Sequence, residues 1–156
     1  MQEAEFPRRL FLAGSGLAAF AGLGLPREAA AAEWSDEEKR NVELVKKFCA
    51  TWSTRDLARV TALMADDSVY RMSETAPPLT GHAALIGQLQ PWMESSSSIE
   101  FRILETFAKG PIVMTHRIDH FASETRPLTW EGVGVFWVRD DKIQEWSDYT
   151  MEMKRA

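Results

Sequence analysis

The chain is 156 residues long, with 18 Lys and Arg against 23 Asp and Glu and a formal net charge of −5. Its hydrophobic fraction of 45% is too high and its net charge too small for a disordered chain, and the length suits one domain. A single cysteine excludes an intrachain disulfide and a cysteine-based zinc site, and an acidic chain without a basic patch argues against a nucleic-acid partner.

The first 32 residues read as an export signal. Arg8 and Arg9 precede an uncharged stretch, Leu10 to Leu25, that is rich in Gly and Ala. Pro26 and Arg27 close it, and Ala29 to Ala32 supply small residues of the A-x-A cleavage type. The run Arg8-Arg9-Leu10-Phe11-Leu12 resembles the twin-arginine export motif, with Pro7 where Ser or Thr is usual and Ala13 where Lys is usual. The alternative is an uncleaved membrane anchor, for which the apolar stretch is short. Cleavage near Ala32 leaves 33–156 as a single domain. Its charge is still −5, because Arg8, Arg9 and Arg27 balance Glu3, Glu5 and Glu28. The implied location is the periplasm or exterior of a bacterium, with no stable membrane insertion after cleavage.

Ser35-Asp36-Glu37-Glu38 is a capping box at the head of a helix. Val42, Val45, Cys49 and Trp52, with Phe48 beside them, form its apolar stripe, which runs to about Ser53. After the break at 53–56, Leu57, Val60, Leu63 and Met64 mark a second, shorter helix, stopped by Asp66-Asp67. Residues 68–72 read as a strand and Pro77-Pro78 as a loop. Thr80 is placed to cap a third helix with Ala84, Leu85 and Leu89 on its buried side and Pro91 near its end. Ser95 to Ser98 reads as a turn.

The remainder is strand-like: Ile99 to Ala108, Ile112 to Phe121, Leu128 to Val138 and Ile143 to Met151. Lys109-Gly110-Pro111 and Arg139-Asp140-Asp141-Lys142 are turn signals between them. Helices in front and a strand meander behind imply an α+β fold, with helices over a curved antiparallel sheet that encloses a pocket.

Residues two apart on a strand share a face. Val113, Thr115, Arg117, Asp119 and Phe121 therefore form one face, and Met114, His116, Ile118 and His120 the other. In the last strand Trp146, Asp148 and Thr150 share a face. If both polar faces line one cavity, two carboxylates flank one guanidinium. With both ionised the trio sums to −1, and with one proton added it sums to zero. An apolar wall disfavours net charge, so one carboxylate holds a proton while the other stays ionised. The planar fork of Arg117 suits two carboxylates at once. Such a trio needs neither a metal nor a covalent intermediate. The alternative is a structural ion pair across strands.

Thr115-His116-Arg117-Ile118-Asp119-His120-Phe121, joined to the closing Trp146-Ser147-Asp148-Tyr149, resembles the limonene-1,2-epoxide hydrolase family. The resemblance spans essentially residues 33–149. It implies the cone fold of the nuclear-transport-factor-2-like type and a cofactor-free addition of water to a lipophilic, terpenoid-like epoxide, giving a vicinal diol. It also implies roles: Asp119 as the acid toward the epoxide oxygen, Asp148 as the base that activates water, Arg117 as the link between them, and Tyr70 as a holder of the water. Two residues beyond Tyr70 the family pattern has Asn. Here Met72 stands there, and it cannot fix a water.

Two further readings stay open. One is an isomerase or cyclase acting on a polyketide- or steroid-like compound, and the other a non-catalytic small-molecule-binding protein of the same fold. No metal is implied, because His116 and His120 lie on the face opposite Arg117 and offer no recognisable ligand spacing. His82, at a helix start, is expected to be exposed. Gly14-Ser15-Gly16 belongs to the export segment, and residues 33–156 carry no phosphate-binding glycine motif. Met114, Ile118, Val133, Val135 and Trp137 would leave the outer sheet face too apolar for a monomer, so a homodimer is expected.

Overall fold

A computed structural model describes residues 33–124 and 127–153; the export segment expected over residues 1–32 lies outside them. Helix α1 (Asp36–Thr51) begins at Ser35, whose hydroxyl accepts the Glu38 N–H while the Glu38 carboxylate accepts the Ser35 N–H. The predicted stripe of Val42, Val45, Phe48, Cys49 and Trp52 is buried, and a 3₁₀ turn at Trp52–Thr54 ends the helix. Arg55 then takes a left-handed φ of 52°, and Asp56 caps helix α2 (Leu57–Thr61) by accepting from Ala58 and Arg59.

Helical spacing misplaces Met64. It opens strand β1 (Met64–Arg71) and pairs with Ile143 instead of closing the helix. A parallel ladder to the last strand outweighs the local pattern at that point. Asp66 and Asp67 do not stop a helix: they lie exposed in the bulge of β1 between the pairs Met64↔Ile143 and Val69↔Glu145.

Strand β2 (Leu79–Thr80) is too short to announce itself in sequence; it leads into helix α3 (Gly81–Ser95). Thr80 occupies the N-cap position without a side-chain bond, because it is also paired with Val69. Ala84 is exposed, while Leu85, Leu89 and Met93 form the buried side. The helix continues past Pro91, and burial of Met93 and Trp92 against the core outweighs the roughly 3 kcal/mol that an internal proline costs. His82 is half-buried, not exposed.

The four long strands β3 (Ser98–Lys109), β4 (Ile112–Ala122), β5 (Leu128–Arg139) and β6 (Lys142–Glu152) form the expected meander. Gly110, at φ 54°, turns β3 into β4, and Asp140 and Asp141, at φ 52° and 54°, make the two-residue turn from β5 to β6. The sheet order is β2-β1-β6-β5-β4-β3, antiparallel except for the β1–β6 pair. Bulges at Leu104 in β3 and Gln144 in β6 curve it. Glu38 accepts the Gly110 N–H at 2.9 Å and Asn41 donates to the Gly110 carbonyl at 3.1 Å, which pins α1 to the β3–β4 turn. This is the predicted α+β arrangement, three helices over a curved sheet of six strands. No helix among the described residues is long and apolar enough to cross a membrane.

Candidate active site

The alternation on β4 holds along its length. Val113, Thr115, Arg117, Asp119 and Phe121 are all buried, and His116 and His120 lie on the other face. There His116 meets Glu131 at 3.0 Å and His120 meets Thr129 at 3.1 Å. On β6, Trp146 and Asp148 are buried on the inner face.

Arg117, 0% exposed, joins the two carboxylates. Its Nε donates to both oxygens of Asp119, at 2.9 and 3.0 Å, and its Nη2 donates to Asp148 Oδ1 at 2.6 Å. The two anchors lie on strands separated by β5, a span of about 10 Å at the usual strand spacing. Gly134 of β5 stands between Thr115 of β4 and Asp148 of β6, and a Cβ there would overlap Arg117 Nη1. A side chain on that central position would close the path of the guanidinium across the sheet. Residue spacing does not mark Gly134; its signal in the sequence is a glycine two residues from another glycine within a strand otherwise rich in Val, Phe and Trp.

Asp148 is the more heavily bonded carboxylate. Its Oδ1 also accepts the indole N–H of Trp146 at 2.8 Å, and its Oδ2 accepts the Tyr70 hydroxyl at 3.1 Å. Tyr70 comes from β1, directly paired with Trp146, and the two rings stack 3.9 Å apart. Asp119 accepts from Arg117 alone among the side chains of the described residues. The structure thus brings Arg117, Asp119, Asp148 and Tyr70 together, and adds Trp146 as a third donor to Asp148.

The electrostatics follow from this asymmetry. Burial raises the Asp119 carboxyl from its ordinary 3.8 to about 6; Arg117 opposes the shift and Asp148 adds to it. Burial also raises Asp148, against the pull of Arg117, Trp146 and Tyr70. Three donor groups favour the ionised form of Asp148 and Arg117 alone that of Asp119, while burial raises both carboxyls, so the coupled pair retains a proton above the ordinary carboxylate range. Burial works against the Arg117 charge, yet Asp148 and Asp119 outweigh it and hold the guanidinium charged. Burial and the Asp148 charge keep the Tyr70 phenol protonated. The guanidinium also lies 5.0 Å from the Phe101 ring centre, a cation–π contact.

Both carboxylates open onto one cavity of about 210 Å³, below the roughly 300–1,000 Å³ of sites for drug-sized ligands. Its wall is mostly aromatic: Trp52, Trp92, Phe101, Phe121, Trp130 and Trp146. Tyr70, Met72, Leu89 and Gln88 complete it with the two aspartates. The arrangement offers a proton donor and a proton acceptor to one small apolar molecule. Among the described residues no cluster of three or more His, Cys, Asp or Glu is disposed to hold a metal ion.

The sequence model of one protein family, described as a SnoaL-like domain, matches residues 45–146. Among solved structures, an LEH-like epoxide hydrolase from M. tuberculosis is similar at 26% identity and a TM-score of 0.65, over 74% of this chain and 85% of that one. A candidate SnoaL-like polyketide cyclase from Jannaschia sp. CCS1 is similar at 14% identity and a TM-score of 0.66, over 76% of this chain and 90% of that one. A hypothetical protein with a ketosteroid isomerase-like fold from Catenulispora acidiphila, in complex with trimethylamine, is similar at 17% identity and a TM-score of 0.61, over 69% and 84%. The last two likenesses concern the fold alone. No curated protein matches the chain.

Proposed function

The chain belongs to the SnoaL-like domain family, and from that premise we propose that it is a cofactor-free epoxide hydrolase, adding water to a small lipophilic epoxide to give a vicinal diol. The observation that carries the proposal is the double grip of Arg117 on Asp119 and Asp148 at the wall of an aromatic cavity. The likeness to the M. tuberculosis LEH-like epoxide hydrolase supports it.

In this reading a water contacts both Asp148 Oδ2 and the oxygen of Tyr70, whose O–H donates its hydrogen bond to Asp148 and leaves lone pairs to accept from the water. Asp148 takes a proton from the water as the oxygen attacks an epoxide carbon. The carbon–oxygen bond of the ring breaks, and Asp119 protonates the departing oxygen. The trio begins and ends the step with the same net charge, so no charge has to form in the apolar cavity. A strained three-membered ether needs little beyond an aimed nucleophile and a proton on oxygen. The test is diol formation from a panel of lipophilic epoxides. Absence of diol from every member, with folded protein, overturns the proposal.

A second reading has one observation in its favour. Met72 lines the cavity where a polar side chain would hold the water, which suits an isomerase or cyclase that needs no water. Incubation in oxygen-18 water separates the two: hydrolysis places label in the product and isomerisation does not.

We also propose that the protein is an exported homodimer. Residues 1–32 carry the signal described above, and mass spectrometry of the exported protein should find an N-terminus near Glu33. On the outer sheet face Met114 is 39% exposed and Trp137 42%, with Ile118, Val133 and Val135 half-buried on the same face. Sedimentation at micromolar concentration should give the mass of two chains.

A further inference from the structure

The aromatic cavity is not the only hollow that reaches Asp148. A second one, of about 290 Å³, is lined by Arg71, Ser73, Glu74, Ser147 and Tyr149, together with Ala76 and Asp148. Asp148 is the one residue common to the linings of these two hollows. Their chemistry differs: the first is walled by rings, the second by a guanidinium, hydroxyls and a carboxylate.

The reason lies in the backbone. The pairing of β1 with β6 ends at Arg71↔Ser147, and beyond it the two chains part. On the β1 side Arg71 and Ser73 line the polar hollow while Met72, between them, lines the aromatic cavity. On the β6 side Ser147 and Tyr149 line the polar hollow, and Asp148 between them meets both. Met72 and Asp148 thus stand where the two linings adjoin, each between residues of the polar hollow in the chain.

We propose that the polar hollow is the water side of the active site, through which water reaches Asp148 past Met72 while the organic substrate fills the aromatic cavity. The proposal rests on the hydrolase reading. An apolar molecule seated among the rings expels water from that cavity. Each turnover nevertheless consumes one water, leaves a proton on Asp148 and takes one from Asp119. Water in the polar hollow replaces the consumed molecule and passes the Asp148 proton to solvent without crossing the occupied cavity, and Asp119 regains a proton from solvent through the aromatic cavity once the diol has left. The hollow has room for several waters and the polar partners that hold them. The thioether of Met72 is apolar and has three rotatable bonds, so it yields to a passing water without competing for that water's hydrogen bonds.

The experiment has two arms. Ala76→Trp fills the hollow from a residue outside the trio. At saturating epoxide it should lower kcat by about tenfold with KM unchanged. An Ala76→Trp protein as fast as wild type overturns the proposal. The second arm needs neither turnover nor the variant: a crystal structure of the wild type with toluene in the aromatic cavity. Ordered waters should run along the hollow, one of them within hydrogen-bond distance of an Asp148 carboxylate oxygen. Waters that stop short of Asp148 overturn the proposal even if Ala76→Trp fails to fold. If the wild type opens no epoxide, the hydrolase reading falls by itself, and the crystal structure still decides whether the hollow wets Asp148.

Discussion

Gly134 and Arg117 occupy complementary space: the guanidinium of Arg117 fills the volume that a side chain at Gly134 would take. The bond from Arg117 to Asp148 crosses β5 at that position, since Gly134 is paired with Thr115 on one side and Asp148 on the other. The chemistry proposed for two carboxylates thus depends on a residue with no chemistry of its own.

Gly134→Ala should accordingly push the guanidinium off Asp148. The expected loss is about a hundredfold in kcat/KM, the scale of a displacement near 1 Å in a positioned site, with a stability loss of about 1–3 kcal/mol from overpacking. Gly87→Ala is the control. Nothing lies within 4 Å of a Cβ at Gly87 on α3, so it should stabilise the protein by about 0.5–1 kcal/mol and leave the rate alone. Steady-state kinetics and urea unfolding of the two variants decide the matter.

Asp119→Asn removes the proposed proton donor and Asp148→Asn the proposed acceptor, with little change of shape. Each should lower kcat by about a thousandfold on any epoxide that the wild type opens. Because both act in one concerted step, the double variant should be little worse than either single one. Far-ultraviolet circular dichroism confirms that the folded state persists. A folded single variant with undiminished turnover would falsify the assignment of these roles.

The raised Asp119 carboxyl makes two predictions with one sign. Activity requires a proton on Asp119 and so should fall as pH rises through about 6, with an apparent value that belongs to the coupled pair. Stability should fall in the same direction. In the unfolded chain the carboxyl titrates near its ordinary 3.8 and in the folded protein near 6, so the folded state holds more protons in between. Its contribution is complete below about 4 and is lost as pH rises through 6, a change of about 3 kcal/mol, and Asp148 adds in the same direction. Unfolding midpoints at pH 4.5 and pH 7 should show the loss, reduced in Asp119→Asn.

The trio was legible because it breaks a strand pattern: Arg117 and Asp119 interrupt an apolar face on β4, and Asp148 does so on β6. What sequence spacing could not supply was the order of the strands. Tyr70 comes to Trp146 and Asp148 through a parallel pairing of β1 with β6, a contact between elements about eighty residues apart. Met64 fits the helical spacing and yet lies in a strand for the same reason, since its place is set by Ile143 across that ladder. Local periodicity stops at the ends of an element, whereas the site is built from the pairing of distant ones. The indole bond of Trp146 to Asp148 was hidden differently, because a tryptophan on a buried face is core by default and only the direction of its N–H gives it a second task.

Trp146→Phe tests that second task. It removes the indole donor from Asp148 Oδ1 and leaves Arg117 and Tyr70 in place. Asp148 then holds a proton more tightly and competes with Asp119 for the one proton they share. The productive arrangement becomes rarer, so kcat should fall by about tenfold and the acid limb of the pH–rate profile should move to higher pH. A purely structural role for Trp146 would lower stability and leave that limb where it is.

Met72→Asn asks whether two polar anchors are enough to aim the water. Met72 lines the aromatic cavity beside Asp148 and extends the inner face of β1 two residues beyond Tyr70. An amide there would add a third anchor to the water between Asp148 and Tyr70. Because that water is used only in the chemical step, the gain should appear in kcat, by about three- to tenfold, with KM little changed. The substitution also replaces a half-buried apolar side chain with an amide, at a cost of about 1–2 kcal/mol in stability. A faster but less stable enzyme would mean that the native residue favours the fold and the seal of the cavity over the hold on the nucleophile. An unchanged or lower kcat in a well-folded Met72→Asn protein would mean that Asp148 and Tyr70 already fix the water, and that the thioether is not a defect of the site.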